Sequence, residues 1–154
     1  MKLNLTGFER LKQKPALAKL ATKVCAKVPK LRRRGEINFV LVPDRKLRFL
    51  HKKFLDDPGS TDVITFQYLE TQSLKKIGDD APFGDVYISL ETARAQAKAA
   101  GHEFHREIAF LMVHGLLHLA GYDDRAPHQR RKMLALQAKL IRALSPGLAP
   151  ADGD

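Results

Sequence analysis

The chain has 154 residues, of which 44% are hydrophobic and 29% charged, a composition typical of one ordinary globular domain. No apolar run reaches the roughly 18 residues that suggest a membrane-spanning helix, so no transmembrane helix is expected. Lysine and arginine exceed aspartate and glutamate by 27 to 17, and this excess favours a polyanionic partner such as nucleic acid over a membrane surface.

The number of cysteines and the N-terminal segment give an expectation about the cellular compartment. Cys25 is the single cysteine, so an internal disulfide is excluded. The segment from Met1 to Gly7 lacks the long apolar core of a signal peptide. A cytoplasmic location is the expectation.

Hydrophobic periodicity predicts the elements in chain order. Strands are predicted at residues 2–6, 36–42, 62–66 and 85–89. Helices are predicted at about 15–28, after a cap at Asp44, at 90–100 after a cap at Ser89, through the apolar run around residue 114, and at 125–144. The predicted fold is α/β (α+β), a small mixed four-stranded sheet covered by about five helices, with strand 36–42 central because it is almost continuously apolar.

Two segments fall outside this pattern. Residues 68–83 show no clear period and are predicted to be a loop or hairpin-like excursion. Residues 145–154 contain two prolines and two glycines, and they are predicted to be a disordered tail. The domain is therefore expected to span 1–144.

A pair of histidines gives the strongest chemical signal. His114 and His118 lie four apart in an otherwise apolar run, so on a buried helix they share one face. Gly121 is expected to end that helix, and Asp124 can then turn towards the two imidazoles. Two imidazoles and a carboxylate with a vacant position form the donor set of a catalytic zinc site. A pair of core histidines with satisfied hydrogen bonds is the alternative interpretation. Gly115 stands where a zinc protease carries its catalytic glutamate, so a protease of that mechanism is not expected.

The sequence around these histidines resembles a known family. H-G-L-L-H-L-A-G-Y-D-D at 114–124 is similar to the H-G-x-L-H-L-x-G-Y-D-H motif of the YbeY family, and T-D-V-I-T-F at 61–66 and G-D-V-Y-I-S at 84–89 resemble its strand motifs. The resemblance, from about Ile37 to Leu144, implies a single-domain zinc-dependent endoribonuclease of 16S ribosomal RNA maturation, with the small ribosomal subunit as partner. It implies one zinc per chain, on His114, His118 and Asp124.

Two departures from the family pattern affect this prediction. The family's usual third ligand is histidine, and Asp124 stands in its place; a carboxylate is an acceptable zinc ligand but lowers the charge of the site. His128 is a rival third ligand. Leu55 occupies the place of a frequent arginine, whose role would be lost or pass to Lys52 or Lys53.

RNA binding is assigned to basic side chains near two segments of the chain. They are Arg45, Lys46, Arg48, Lys52, Lys53, Arg125, Arg130 and Arg131. Few aromatic residues are placed to stack bases, which favours recognition of RNA shape or backbone. The general base is left unassigned. A non-catalytic ribosome-assembly factor with structural zinc and a metal-dependent hydrolase of another class are the alternative functions.

Other polar residues receive local roles. His102, Glu103 and His105 are predicted to be exposed at the start of the metal helix, and Leu47, Leu50 and Phe54 to face the core. Glu107 is too far along the helix to be a ligand, at about 10 Å from His114 for a rise of roughly 1.5 Å per residue. It could make a buried hydrogen bond or support a ligand. Asp62 and Asp85 are predicted to make hydrogen bonds at strand ends, with metal ligation as the alternative.

Overall fold

The computed structural model describes residues 1–32, 35–55, 62–68 and 82–149. Most of the predicted excursion at 68–83 lies outside these residues. The described part forms four strands and five α-helices. They are β1 (Lys2–Thr6), α1 (Lys14–Lys27), β2 (Glu36–Val42), α2 (Asp44–Leu55), β3 (Val63–Gln67), β4 (Pro82–Ser89), α3 (Leu90–Ala100), α4 (Phe104–Leu119) and α5 (Pro127–Leu144).

The strands form one mixed sheet in the order β1-β2-β4-β3. β1, β2 and β4 are parallel, with Leu3 opposite Ile37 in the first pair. β3 is antiparallel to β4, with Val63 opposite Ile88. The predicted fold class is confirmed, including the interior position of β2, whose apolar side chains are covered on both faces.

The two faces of the sheet carry different helices. Successive side chains of a strand point to opposite faces. Phe39 and Val86 belong to the large core that includes α1, α4 and α5, whereas Val42 and Ile64 form a smaller core with Leu47 of α2. The sheet therefore lies between α4 and α2.

Helix α2 follows its predicted pattern in part. Leu47 is buried, and Leu50 packs against the smaller core. The prediction that Phe54 faces the core is wrong, because this side chain is 58% exposed. Its ring lies edge-on to Phe66 with centroids 5.6 Å apart, a contact that leaves most of the phenyl group in solvent.

Helix α1 buries its single thiol. Cys25 is buried beside Leu20 and Val24, and this burial raises the pKa of its thiol to about 12. The side chain contributes packing to the large core. None of the described helices is long and apolar enough to cross a bilayer.

Helix α4 is the centre of the large core. Its buried residues include Ile108, Leu111, Met112, Val113, Leu116 and Leu117. Gly115 lets the helix approach the sheet, since a Cβ there would lie 2.5 Å from Cγ1 of Val86. After the last turn Gly121 has φ +97°, and the Tyr122 N–H donates to the Leu117 carbonyl at 3.0 Å. This C-cap confirms the predicted end of the helix.

The segment after α5 corrects the prediction of a disordered tail. Residues Pro146–Leu148 form a 3-10 helix, and Leu148 is buried in the large core. Arg106 Nη1 also donates to the Ala149 carbonyl at 2.6 Å. Pro146 does stop α5, but the apolar Leu148 side chain holds the chain against the domain. The prediction is thus wrong for 145–149, and 150–154 lie outside the described residues.

Candidate metal centre

Three donor groups converge beside the C-terminal half of α4. Nε2 of His118 lies 3.0 Å from Nε2 of His114. Asp124 Oδ2 lies 3.2 Å from the His114 nitrogen and 3.5 Å from the His118 nitrogen. The helix repeat brings the two imidazoles together, and the reversal after Gly121 brings the carboxylate to them. The three residues that the sequence singled out therefore share one site.

The spacing of these atoms fits a zinc ion. Donor atoms at about 2.0 Å from a tetrahedral ion lie roughly 3.3 Å from one another, and the observed separations scatter around that distance. Within the described part of the chain, this is the one group of three or more such residues whose ligand atoms lie within 4.8 Å of one another. His128 is exposed and stands outside the group.

A buried glutamine fixes the orientation of His114. Gln137 is fully buried, and its Nε2 donates to the Phe110 carbonyl at 3.3 Å. Its Oε1 therefore accepts, and His114 Nδ1 lies 2.7 Å from it. This network places the proton on Nδ1 and leaves the lone pair of Nε2 directed at the site. Sequence reasoning missed Gln137, although a polar residue on the buried face of α5 was the available signal.

Burial keeps His114 neutral. The pKa of this imidazole is lowered, chiefly because burial disfavours the charged ring. The hydrogen bond to Gln137 and the charges of Asp124 and Asp62 act in the opposite direction without cancelling that effect. A neutral imidazole is the form that binds a cation, so the site does not have to lose a proton from His114 at neutral pH.

A groove of about 890 Å³ opens over the three donors. Asp62 and Gln96 line one part of it, and Gln96 Nε2 donates to Asp62 Oδ2 at 3.2 Å. Arg130 and Arg142 of α5 line another part, and Arg130 Nη1 lies 3.5 Å from Asp124 Oδ2. The groove thus combines a carboxylate that is held in place with two cationic groups. Sequence reasoning did not single out Arg142.

The start of α4 differs from the prediction. The side chain of His102 is 6% exposed, and its Nε2 lies 2.8 Å from Oε1 of the buried Glu107. His105 is largely buried too, with 14% of its side chain exposed, while Glu103 is exposed as predicted. The prediction of exposed histidines is wrong because the turn before α4 folds His102 back onto that helix. Glu107 makes the buried hydrogen bond that was one of its two predicted roles.

The predicted RNA-binding residues fall into two groups. Arg130 lines the groove, and Arg125 and Arg131 are exposed near the same turn. Arg125 is paired with Asp123 at 2.7 Å, and this guanidinium lowers the pKa of the Asp123 carboxyl to about 2. The five basic residues of α2 lie on the opposite face of the sheet from α4.

The model of the endoribonuclease YbeY family matches residues 7–145. The chain belongs to the YbeY endoribonuclease family. YbeY endoribonucleases of Heliobacterium modesticaldum and Beutenbergia cavernae are 40% and 38% identical to it over 70% of the chain, covering 68% and 73% of their own lengths. The solution structure of TM1509 from Thermotoga maritima shares the fold, with a TM-score of 0.59, 21% identity and coverage of 99% of this chain and 98% of that one.

Membership in the YbeY family confirms the predicted class of activity, an endoribonuclease. The family match also agrees with the similarity of residues 114–124 to the YbeY histidine motif. The family model includes α4, the turn to Asp124 and α5. The candidate metal centre therefore lies inside the matched region.

Replacing Gln137 by leucine is expected to lower the affinity of the candidate site for added zinc, used as the test metal, about 10- to 100-fold, the usual cost of losing the partner that orients a histidine ligand. Leucine has a similar volume but cannot accept from His114 Nδ1, which frees the ring to rotate and to change tautomer. Competition with a chromogenic chelator measures the affinity. Gln137→Glu retains an acceptor and should bind zinc more tightly than Gln137→Leu. Equal affinities in the two variants would contradict this role.

Proposed function

We propose that this protein is a zinc-dependent endoribonuclease that matures ribosomal RNA, with one zinc ion held by His114, His118 and Asp124. The observation that supports it is the convergence of the two Nε2 atoms and the Asp124 carboxylate at 3.0 to 3.5 Å beneath an open groove. A closed structural site would have a fourth protein ligand. Among the residues that the structure describes, three such ligands come together here. This favours catalysis over a purely structural zinc.

The reaction proposed is hydrolysis of an RNA phosphodiester. The bound cation would lower the pKa of a water molecule and offset charge on the phosphate. Asp62 lines the groove, is oriented by Gln96, and is near enough for its charge to act on His114. We assign to its carboxylate the acceptance of the water's proton. Glu107 is already paired with His102, so it is the weaker candidate.

Binding of the RNA strand is assigned to the basic side chains. Arg130 and Arg142 line the groove, and we assign to them the contacts with phosphates beside the cleaved bond. Arg125 and Arg131 extend this positive surface along the same turn and helix. The α2 group of Arg45, Lys46, Arg48, Lys52 and Lys53 lies on the opposite face of the sheet and would contact RNA away from the cleaved bond. The polyanionic partner proposed is ribosomal RNA within the small subunit, in agreement with the net charge of +10.

The first test is cleavage of a ribosomal RNA fragment by the purified protein, His118→Ala and Asp62→Asn. His118→Ala is expected to lose zinc and cleavage together. Asp62→Asn is expected to keep zinc and to cleave about 100-fold more slowly, the lower range of a general base's contribution. Treatment with a chelator should abolish cleavage by the wild type, and added zinc should restore it.

Two outcomes would contradict the proposal. Equal cleavage by all three proteins would identify a contaminating nuclease. Stoichiometric zinc with no cleavage by the wild type would support the assembly-factor alternative. If Asp62→Asn cleaves at the wild-type rate, the metal-dependent activity stands and the assignment of the proton acceptor is wrong.

A further inference from the structure

The outward side of α2 is strongly basic. Arg45, Lys46, Arg48, Lys52 and Lys53 are exposed on a helix of 12 residues. The helix has one acidic residue, Asp44, whose carboxylate already accepts from Arg48, Ser89 and Thr92. The excess positive charge of this side is therefore available to a polyanion.

Two phenylalanines stand among these cations. Phe49 is 59% and Phe54 58% exposed. Nζ of Lys53 lies 5.5 Å from the centroid of each ring, so the rings and this ammonium group form one patch. Apolar groups that cluster on an exposed surface with a polar rim commonly mark an interaction site. We call Arg45, Lys46, Arg48, Phe49, Lys52, Lys53 and Phe54 the α2 patch.

The α2 patch is separate from the metal groove. Leu47 on the inward side of α2 packs with Val42 and Ile64. The side chains on the other face of the strands, among them Phe39 and Val86, pack with α4. A phosphate at the metal centre and a ligand on the α2 patch would therefore lie on opposite faces of the sheet.

We infer that the α2 patch is a second RNA-binding surface, which takes unpaired nucleotides by stacking bases on Phe49 and Phe54 between flanking cations. Charge complementarity selects a polyanion. Exposed aromatic rings favour unpaired nucleotides, because the bases of a single strand are free to stack on an aromatic side chain. The structure thus supplies stacking residues that the sequence did not reveal. The inference rests on RNA being the substrate, but binding can be measured without cleavage.

The test is fluorescence anisotropy with a labelled, unstructured oligoribonucleotide and with a duplex of equal length, in the His118→Ala background so that cleavage does not interfere. Adding Phe49→Ala and Phe54→Ala together should weaken single-strand binding at least about tenfold, with less than about a twofold change for the duplex. The salt dependence should keep its slope, because no charge is removed. Phe49→Ala alone, which leaves the Phe54–Phe66 contact intact, should show part of the same loss.

Charge variants provide the matched comparison. Lys52→Gln with Lys53→Gln should weaken binding and reduce the slope of log Kd against log salt by about one to two, as expected for two lost phosphate contacts on a single strand. Lys19→Gln with Lys27→Gln removes the same charge from the exposed side of α1 and should have the smaller effect.

Several results would overturn the inference. They are unchanged single-strand binding in the phenylalanine variants, an equal loss for single strand and duplex, or equal effects of the α1 and α2 charge variants. Equally tight, ring-dependent binding of polyglutamate would assign the α2 patch to acidic protein segments instead. Ring-dependent RNA binding by a wild type that does not cleave would uphold the inference while the proposed function fails.

Discussion

Replacing Asp124 by asparagine is expected to lower zinc affinity by roughly 100-fold or more, because losing even an outer partner of a ligand costs 10- to 100-fold. Asparagine preserves the size of the side chain but removes the charge that lies 3.2 Å from His114 and 3.5 Å from His118. RNA cleavage should fall with zinc occupancy. Isothermal titration of the zinc-free protein and single-turnover cleavage at saturating RNA measure the two effects.

Two variants decide whether Asp124 acts as the third ligand. Asp124→His supplies a neutral imidazole at the same position, so it should bind zinc and cleave RNA. The change also raises the charge of the loaded site by one, which should make its water more acidic and shift the pH profile of cleavage to lower pH. His128→Ala should match the wild type in both measurements. Loss of zinc in His128→Ala, with zinc retained in Asp124→Asn, would transfer the role to His128.

Gly115→Ala is expected to destabilise the fold by about 1–3 kcal/mol, the usual cost of one extra group in a packed core. The new Cβ would lie 2.5 Å from Cγ1 and 3.1 Å from Cγ2 of Val86, and the β-branched valine has few alternative rotamers with which to relieve the clash. Alanine is the better helix former by about 1 kcal/mol, which offsets part of the clash. Urea unfolding followed by circular dichroism measures the change.

Matched variants separate this clash from a general effect of glycine replacement. Gly147 has open space around its position, and Gly147→Ala should change stability by less than about 0.5 kcal/mol, as for most surface substitutions. Val86→Ala should be less harmful in the Gly115→Ala background than alone, because the smaller side chain removes the contact. Strict additivity of the two changes would contradict the close approach of α4 to β4.

The sequence by itself determined the elements and the pair of histidines. The run around His114 is apolar on every side, which predicts a buried helix, and the four-residue spacing puts both rings on one face whatever lies around them. Gly121 marks the end of that helix through its own backbone conformation. The nearly continuous apolar residues of strand β2 predict its interior position in the sheet. These features are local, since each depends on the period of one segment and on turn chemistry.

Only the tertiary structure decided which of those elements bring residues to the metal centre and which lie away from it. The basic residues of α2 and the arginines of α5 look equivalent in the sequence, but the sheet places them on opposite faces. His102 and Leu148 carry no periodic signal that predicts burial, and Gln137 becomes a partner of His114 only when α5 packs on α4. Such contacts join residues far apart in the chain, so they depend on strand order and helix packing. A pattern with a period of two or 3.6 residues reports which side of one element is apolar, and it does not report which other element will cover that side.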